Sequence, residues 1–220
     1  FPLGVKKDET REPWWDLPRP TFEKERVLSE IGAGEEKAPR FCTSFPSHVA
    51  PHDVSLKLAG SGGDGAQTAA MLIVHAGINE GFDATHIPAY GPESRGGTSY
   101  ADVHVADGEV LSPASPKPNV LIAFNMPSLV KFGPDVLPGG TIIYDSSVIH
   151  DYVPVKAGVK VVGVPMSEIA KDLGKLMVKN IVALGALQAA TGLFPKETFL
   201  TAIRRALKDK CAMIPMNEQA

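Results

Sequence analysis

Cysteine is almost missing from this chain. There are two among 220 residues, Cys42 and Cys211, far apart and in no motif. No C-x-x-C ligand set for zinc or an iron–sulfur cluster can therefore be assembled within it. A reducing cytoplasm is the expected compartment. Long apolar runs are missing too. None reaches the ~18 residues that a membrane span needs, and Phe1 to Asp8 lack the basic-then-apolar order of a secretory leader. Charge of one sign is not in excess: Lys plus Arg is 22 and Asp plus Glu is 25, a formal charge of −3. With no Lys/Arg stripe as well, a generic nucleic-acid binder is excluded. Neither a Ser-His-Asp order nor a Cys–His pairing can be argued, so no catalytic residue is expected in this chain.

What is present is ordinary in amount and informative in arrangement. Apolar residues make up 44%, enough to bury a sizeable core in one large domain or two small ones. Gly (21) and Pro (19) make the chain rich in turns without being of low complexity. The texture changes near residue 52. Residues 1–51 are proline-rich and charged, with no period of 2 or 3.6, and only Thr21 to Glu30 suggests a short helix. A stretch without pattern cannot bury its own core. Residues 1–51 read either as a flexible tail or as an extended arm that wraps partner subunits, with Trp14 and Trp15 as its anchors.

Residues 52–220 read as an α/β domain. Strands are expected at Val54–Ala59, Ala84–Pro88, Thr98–Val105, Val120–Phe124, Thr141–Asp145 and Val159–Val164, the last of them buried. Helices are expected at Asp64–Ile78, Pro127–Phe132, Asp172–Ala190 and from Pro195 to about Lys208. The alternation predicts a mostly parallel sheet covered by helices. The apolar stripe at 173, 176, 177, 181, 184 and 187 is expected to pack in the core or at an interface. His75 reads as an ordinary helix residue, His104 as solvent-facing or at an interface, and His150-Asp151 as a turn. His48 and His52 lack a third ligand, so no metal site is expected. Ser146 and Ser147 follow a strand as caps or as ligand groups. Asn180 can bond a neighbouring loop or face a partner chain.

Gly60-Ser61-Gly62-Gly63-Asp64-Gly65 follows an apolar strand and opens a helix, the context that a G-x-G-x-x-G turn requires. Glycines permit a tight turn and a close anion, and the helix start adds unpaired N–H groups and partial positive charge. Three readings stand: a packing turn without ligand, a nicotinamide or flavin site with Asp83 as the ribose partner, and an anion site shared with another chain. Against the second, Asp64 lies in the turn, where its charge would repel a pyrophosphate. Gly63-Asp64-Gly65 also resembles the start of a thiamine-diphosphate metal motif. That motif needs an Asn some 25–30 residues on, and positions 89–95 hold none. A second loop, Tyr90 to Thr98, combines three glycines and a proline with Glu93 and Arg95, the latter suited to phosphate or carboxylate. It serves either an interface or a ligand.

Taken together, Gly60-x-Gly62-Gly63-x-Gly65, Glu80-Gly81 and Tyr90-Gly-Pro-Glu-x-Arg95-Gly-Gly97 resemble the gamma subunit of 2-oxoacid:acceptor oxidoreductases, the pyruvate, 2-oxoglutarate, indolepyruvate and phenylglyoxylate enzymes. Further matches are Val120 to Phe132, Gly139-Gly140 with Asp145-Ser146-Ser147, and Asn180-Ile-Val-Ala-Leu-Gly185. The resemblance spans about residues 54–205, and the family usually has Gln where this chain has Asp64. It implies a scaffold that borders a coenzyme A and thiamine region through Gly62, Gly63, Asp64, Tyr90, Glu93, Arg95, Gly96 and Gly97. No cofactor is held wholly within the chain. Thiamine diphosphate with Mg, iron–sulfur clusters and coenzyme A belong to the assembled complex. The implied partners are alpha, beta and delta-type subunits, with ferredoxin or an NAD-reducing subunit as acceptor, and neither nucleic acid nor membrane. A free-standing NAD(P)-binding oxidoreductase using Gly60 to Gly65, and a pure interaction module, are the competing expectations.

Overall fold

Side chains alternate along Val54 to Ala59. Val54, Leu56 and Leu58 point to one face, Ser55, Lys57 and Ala59 to the other, and all six are buried. A strand covered on both faces belongs in mid-sheet. In the computed structural model, which describes residues 38–42, 44–46, 52–91, 98–150 and 155–220, this strand is central. The strands β1 (Asp53–Ser61), β2 (Asp83–Tyr90), β3 (Thr98–Ala106), β4 (Val120–Ala123), β5 (Thr141–Asp145) and β6 (Lys160–Val164) form one sheet in the order β2-β3-β1-β4-β5-β6. The β1–β4, β4–β5 and β5–β6 pairs are parallel. β3 runs antiparallel to both β1 and β2. The link from Tyr90 to Thr98 is too short for a crossover, so β2 and β3 must be antiparallel. The α/β class and the mostly parallel sheet covered by helices agree with the expectation. Among the described residues, no helix is long and apolar enough to cross a membrane.

Helices α1 (Ala66–Glu80), α4 (Lys179–Thr191) and α5 (Lys196–Ala206) cover the first face. Ile73, Leu184 and Phe199 meet Leu56, Leu58 and Val103 there. The second face takes α2 (Met126–Phe132), whose Leu129 and Phe132 pack on Ala59, Leu121 and Ile142. Polar members of β1 on this face need partners, because a buried polar group without one is costly. The Ser55 hydroxyl donates to Asn119 Oδ1 at 2.9 Å. The Lys57 ammonium pairs with Asp102 across the β1–β3 ladder and lies 4.8 Å from the centre of the Tyr100 ring.

The structure departs from the expected elements in several places. The helix expected over Asp172–Ala190 starts only at Lys179, as α4; a 3-10 turn at Leu176–Val178 precedes it, and an additional helix α3 (Met166–Asp172) ends where the expected one was to begin. Gly174, at φ +89°, makes the break in the left-handed region that favours glycine. Leu176 and Met177 are consequently exposed, 49% and 77%, and the stripe is buried only at Ile181, Leu184 and Leu187. β6 is not a buried strand. It is the outermost one, with Val161 at 40% exposure, and a short apolar run does not distinguish an edge from a centre. His104, expected to face solvent or an interface, is buried within the chain between Asp53 Oδ1 (3.1 Å) and the Ala114 carbonyl (3.2 Å). A terminal helix α6 (Ile214–Gln219) follows α5.

The compact unit runs from Ala38 to Ala220. Phe45 is 2% exposed and stands edge-on to Phe82 at 5.0 Å. The buried Glu80 carboxylate holds three elements. It accepts hydrogen bonds from the N–H groups of Phe41 (2.9 Å) and Cys42 (2.7 Å) and from the Thr198 hydroxyl (2.6 Å). Burial, followed by the negative charge of Glu80 and the hydrogen bond to it, pushes the Cys42 thiol up to about 11. The arm expected over residues 1–51, including Trp14, Trp15 and the helix at Thr21–Glu30, lies mainly outside the described residues, as do His48 and Asp151.

Candidate functional site

The parallel strands leave the sheet at one edge, where open α/β sheets place ligands. β1 exits into a turn closed twice by Asp64. Its N–H donates to the Ser61 carbonyl at 3.0 Å, and its Oδ2 accepts from Ser61 N–H at 2.6 Å. Gly62 and Gly63 are exposed between these points. Gly63 has φ +103°, and a Cβ there would meet nothing within 4 Å. Gly65 has φ +83°, and a Cβ there would lie 2.8 Å from that of Asn180. Asn180 thus packs against the base of the turn. No side chain caps α1 and no acid stands in its first turn, so the positive end of its dipole is uncompensated locally. The tight, open surface over Gly62 and Gly63 suits a phosphate group of a larger ligand.

Asp64, whose charge is expected to repel a pyrophosphate, has a cationic partner within the fold. Its carboxylate folds back into the turn, and Oδ1 accepts from Lys179 Nζ at 2.5 Å. Lys179 is only 9% exposed and opens α4. Asn125, at the exit of β4, donates from Nδ2 to the Ser61 hydroxyl at 2.8 Å and caps α2 by accepting from Ser128 N–H at 2.9 Å. Gln67, in the first turn of α1, donates to the Tyr100 carbonyl at 2.8 Å and to Ser99 Oγ at 3.2 Å. Its amide oxygen faces His86 Nε2 at 3.1 Å, so that nitrogen carries the hydrogen. Burial lowers the His86 pKa below the ordinary histidine value.

The second loop begins at the same edge. Ser99 is the register partner of both Gly60 on β1 and Tyr90 on β2. The two loop bases are therefore about 10 Å apart, two strand spacings. Tyr90 is 72% exposed there, and Gly91 N–H donates to the Thr98 carbonyl at 2.9 Å. Of the expected site residues, Gly62, Gly63, Asp64 and Tyr90 share this edge. Glu93, Arg95, Gly96 and Gly97 lie outside the described residues.

Asp83 is not at this edge. It pairs with Ala106, seven residues along β3 from Ser99, and Oδ2 accepts from Val110 N–H at 2.8 Å. That separation is about 23 Å at the strand rise. A ribose partner belongs beside the turn, so the nicotinamide reading of Gly60 to Gly65 loses its acidic residue. Asp145 is fully buried and accepts from the Ser167 hydroxyl at 2.5 Å and from Ser147 N–H at 3.0 Å. Ser147 Oγ in turn accepts from Glu168 N–H at 3.1 Å, a capping role. No cluster of three or more His, Cys, Asp or Glu forms a metal site among the described residues.

Sequence reasoning missed Lys179, Gln67 and Asn125. Lys179 carried a signal: a lysine opening an otherwise apolar helix needs a carboxylate, since buried lysines are nearly always paired. Asn125 carried the signal of a helix cap ahead of Pro127, but its bond to Ser61 and all the partners of Gln67 come from other strands.

Comparison with known proteins identifies the family. The chain is 40% identical over 167 residues to ketoisovalerate oxidoreductase subunit VorA of Methanothermobacter marburgensis, covering 75% of this chain and 34% of that protein. It thus spans about a third of that relative's length. It is 31% identical over 159 residues to 2-oxoglutarate synthase subunit KorC of Archaeoglobus fulgidus, covering 72% and 81% respectively. Among solved structures it resembles the keto/oxoacid ferredoxin oxidoreductase gamma subunit of Geobacter sulfurreducens, with a TM-score of 0.66, 28% identity and coverage of 76% and 92%. The fold is also shared with a 2-oxoglutarate:ferredoxin oxidoreductase from Magnetococcus marinus, at TM-score 0.70, 23% identity and coverage of 76% and 29%. A family model described as pyruvate ferredoxin/flavodoxin oxidoreductase matches residues 55–220, and the chain belongs to that family.

Proposed function

We propose that this chain is the gamma-type component of a multi-subunit 2-oxoacid:acceptor oxidoreductase that makes an acyl-CoA, and that its two loops border the coenzyme A and thiamine region. The supporting observation is the convergence of the glycine turn and the base of the Tyr90–Thr98 loop on one sheet edge through Ser99. The Magnetococcus enzyme, whose fold is shared, was solved with 2-oxoglutarate, coenzyme A and succinyl-CoA bound. Within this chain Gly62 and Gly63 would approach phosphate oxygens, and Tyr90, Glu93, Arg95, Gly96 and Gly97 would line the facing side. Arg95 would supply the bidentate phosphate contact to which a guanidinium is suited. In the assembled enzyme thiamine diphosphate with Mg supplies the decarboxylation chemistry and iron–sulfur clusters take the electrons. The partners are alpha, beta and delta-type subunits in the cytoplasm, with ferredoxin or an NAD-reducing subunit as acceptor.

Arg95→Ala in the assembled enzyme tests the reading. The expected result is a rise of about tenfold in KM for coenzyme A, the worth of one charged phosphate hydrogen bond, with the 2-oxo acid KM nearly unchanged. An unchanged coenzyme A KM would favour a pure interaction module. Full activity of the isolated chain would overturn the multi-subunit assignment.

A further inference from the structure

Lys179 occupies a position that is unfavourable on two counts. It is 9% exposed, where a lysine is rarely found unless paired. It also opens a helix, where the macrodipole opposes a positive charge. Its partner is Asp64, 115 residues away in sequence and part of the glycine turn. Asp64 spends its other oxygen on Ser61 N–H at 2.6 Å. Both carboxylate oxygens are thereby directed inward, and the exposed Gly62–Gly63 segment carries no charged side chain. The next residue of α4, Asn180, packs where a Cβ on Gly65 would lie. The first turn of α4 therefore holds the glycine turn by one ion pair and one steric contact.

We infer that Lys179 is a positioning residue for the anion-facing turn: it draws the Asp64 carboxylate into the turn and cancels its charge, so that a phosphate-bearing ligand meets backbone rather than a carboxylate. This inference rests on the turn bordering coenzyme A. It makes the turn's electrostatic character the property of a helix far away in sequence. Without the ammonium, Asp64 carries an uncompensated negative charge beside the ligand, and one unscreened charge at a partly buried site is worth roughly tenfold in affinity.

The test uses the assembled enzyme. In K179M, KM for coenzyme A is expected to rise about tenfold while kcat at saturating coenzyme A stays within about twofold, and added salt narrows the gap because it screens the exposed charge. K179R is expected to stay near wild type. K179M/D64N removes both charges and is expected to bring KM back to within about threefold. D64N alone keeps an acceptor for Ser61 N–H but leaves the Lys179 ammonium unpaired beside the turn, and is expected to lower KM for coenzyme A about tenfold at low salt, a shift opposite in sign to that of K179M that stays readable if K179M fails to assemble. An unchanged KM in K179M, a double variant no better than K179M, or a KM that rises or stays unchanged in D64N would each overturn the inference. Hydrogen exchange over residues 60–66 of the wild-type enzyme, with and without coenzyme A, separates the two levels of argument. Missing protection overturns the placement of the turn itself. Protection together with an unmoved KM in K179M overturns only the role of Lys179.

Discussion

Cys42 illustrates how a neighbour decides what a residue can do. Its thiol is half-buried and its backbone N–H donates to Glu80, whose charge opposes a thiolate. With the pKa pushed up to about 11, the nucleophilic form is scarce at neutral pH. Iodoacetamide at pH 8 should therefore label the exposed Cys211 far faster than Cys42, by tenfold or more, as read by peptide mass spectrometry. Equal labelling would contradict the burial of the thiol. The same shift bears on stability. Above the ordinary thiol value of 9.0 the unfolded chain releases its proton while the folded chain retains it until about 11. The folded state thus binds more protons in that window, and stability falls as pH rises from 9 to 11.

Among the elements, the junction of the glycine turn with α1 and α4 tolerates little change. Gly65 combines φ +83° with a Cβ direction blocked at 2.8 Å by Asn180. Left-handed strain on a non-glycine residue and overpacking each cost about 1–3 kcal/mol. Gly65→Ala should lower unfolding free energy by about 3 kcal/mol in urea denaturation, and a loss below about 1 kcal/mol would mean that Asn180 moves aside. Gly63→Ala meets no neighbour within 4 Å and carries only the backbone strain of its φ of +103°. The two glycines thus separate packing from conformation within one turn. The Leu176–Val178 turn matters in the same neighbourhood. It starts α4 with Lys179 at its first position and so aims that side chain at Asp64.

For the whole molecule, the Glu80 carboxylate joins the segment at 41–42, the end of α1 and the start of α5. Its loss would leave two backbone N–H groups and the Thr198 hydroxyl without their acceptor, at about 1–3 kcal/mol for each group that stays buried. Glu80→Ala is expected to expose the Arg40–Phe41 bond and to speed tryptic cleavage there about tenfold, measured by mass spectrometry, while Thr198→Val should do so less. Unchanged cleavage would show that Phe45 and its aromatic neighbours alone hold the segment. The sheet edge that carries the glycine turn is the opposite end of β1 from this clamp. Variation at residues 38–46 and variation at the turn should therefore add independently in stability.

Local pattern alone established the strand at β1, the glycine turn opening a helix, the α/β class and the family resemblance, because each depends on residues adjacent in the chain. Tertiary structure decided what depends on distant partners. The Asp64 carboxylate is paired because Lys179 reaches it from another helix. Asp83 is remote from the turn because α1 carries the chain back across the sheet, and Asp83 starts β2 level with Asp53 at the far end of β1. His104 is buried because Asp53 and Ala114 close over it. Charge pairing and strand direction are set by which segments meet in space, and no short window of sequence contains both members of such a pair.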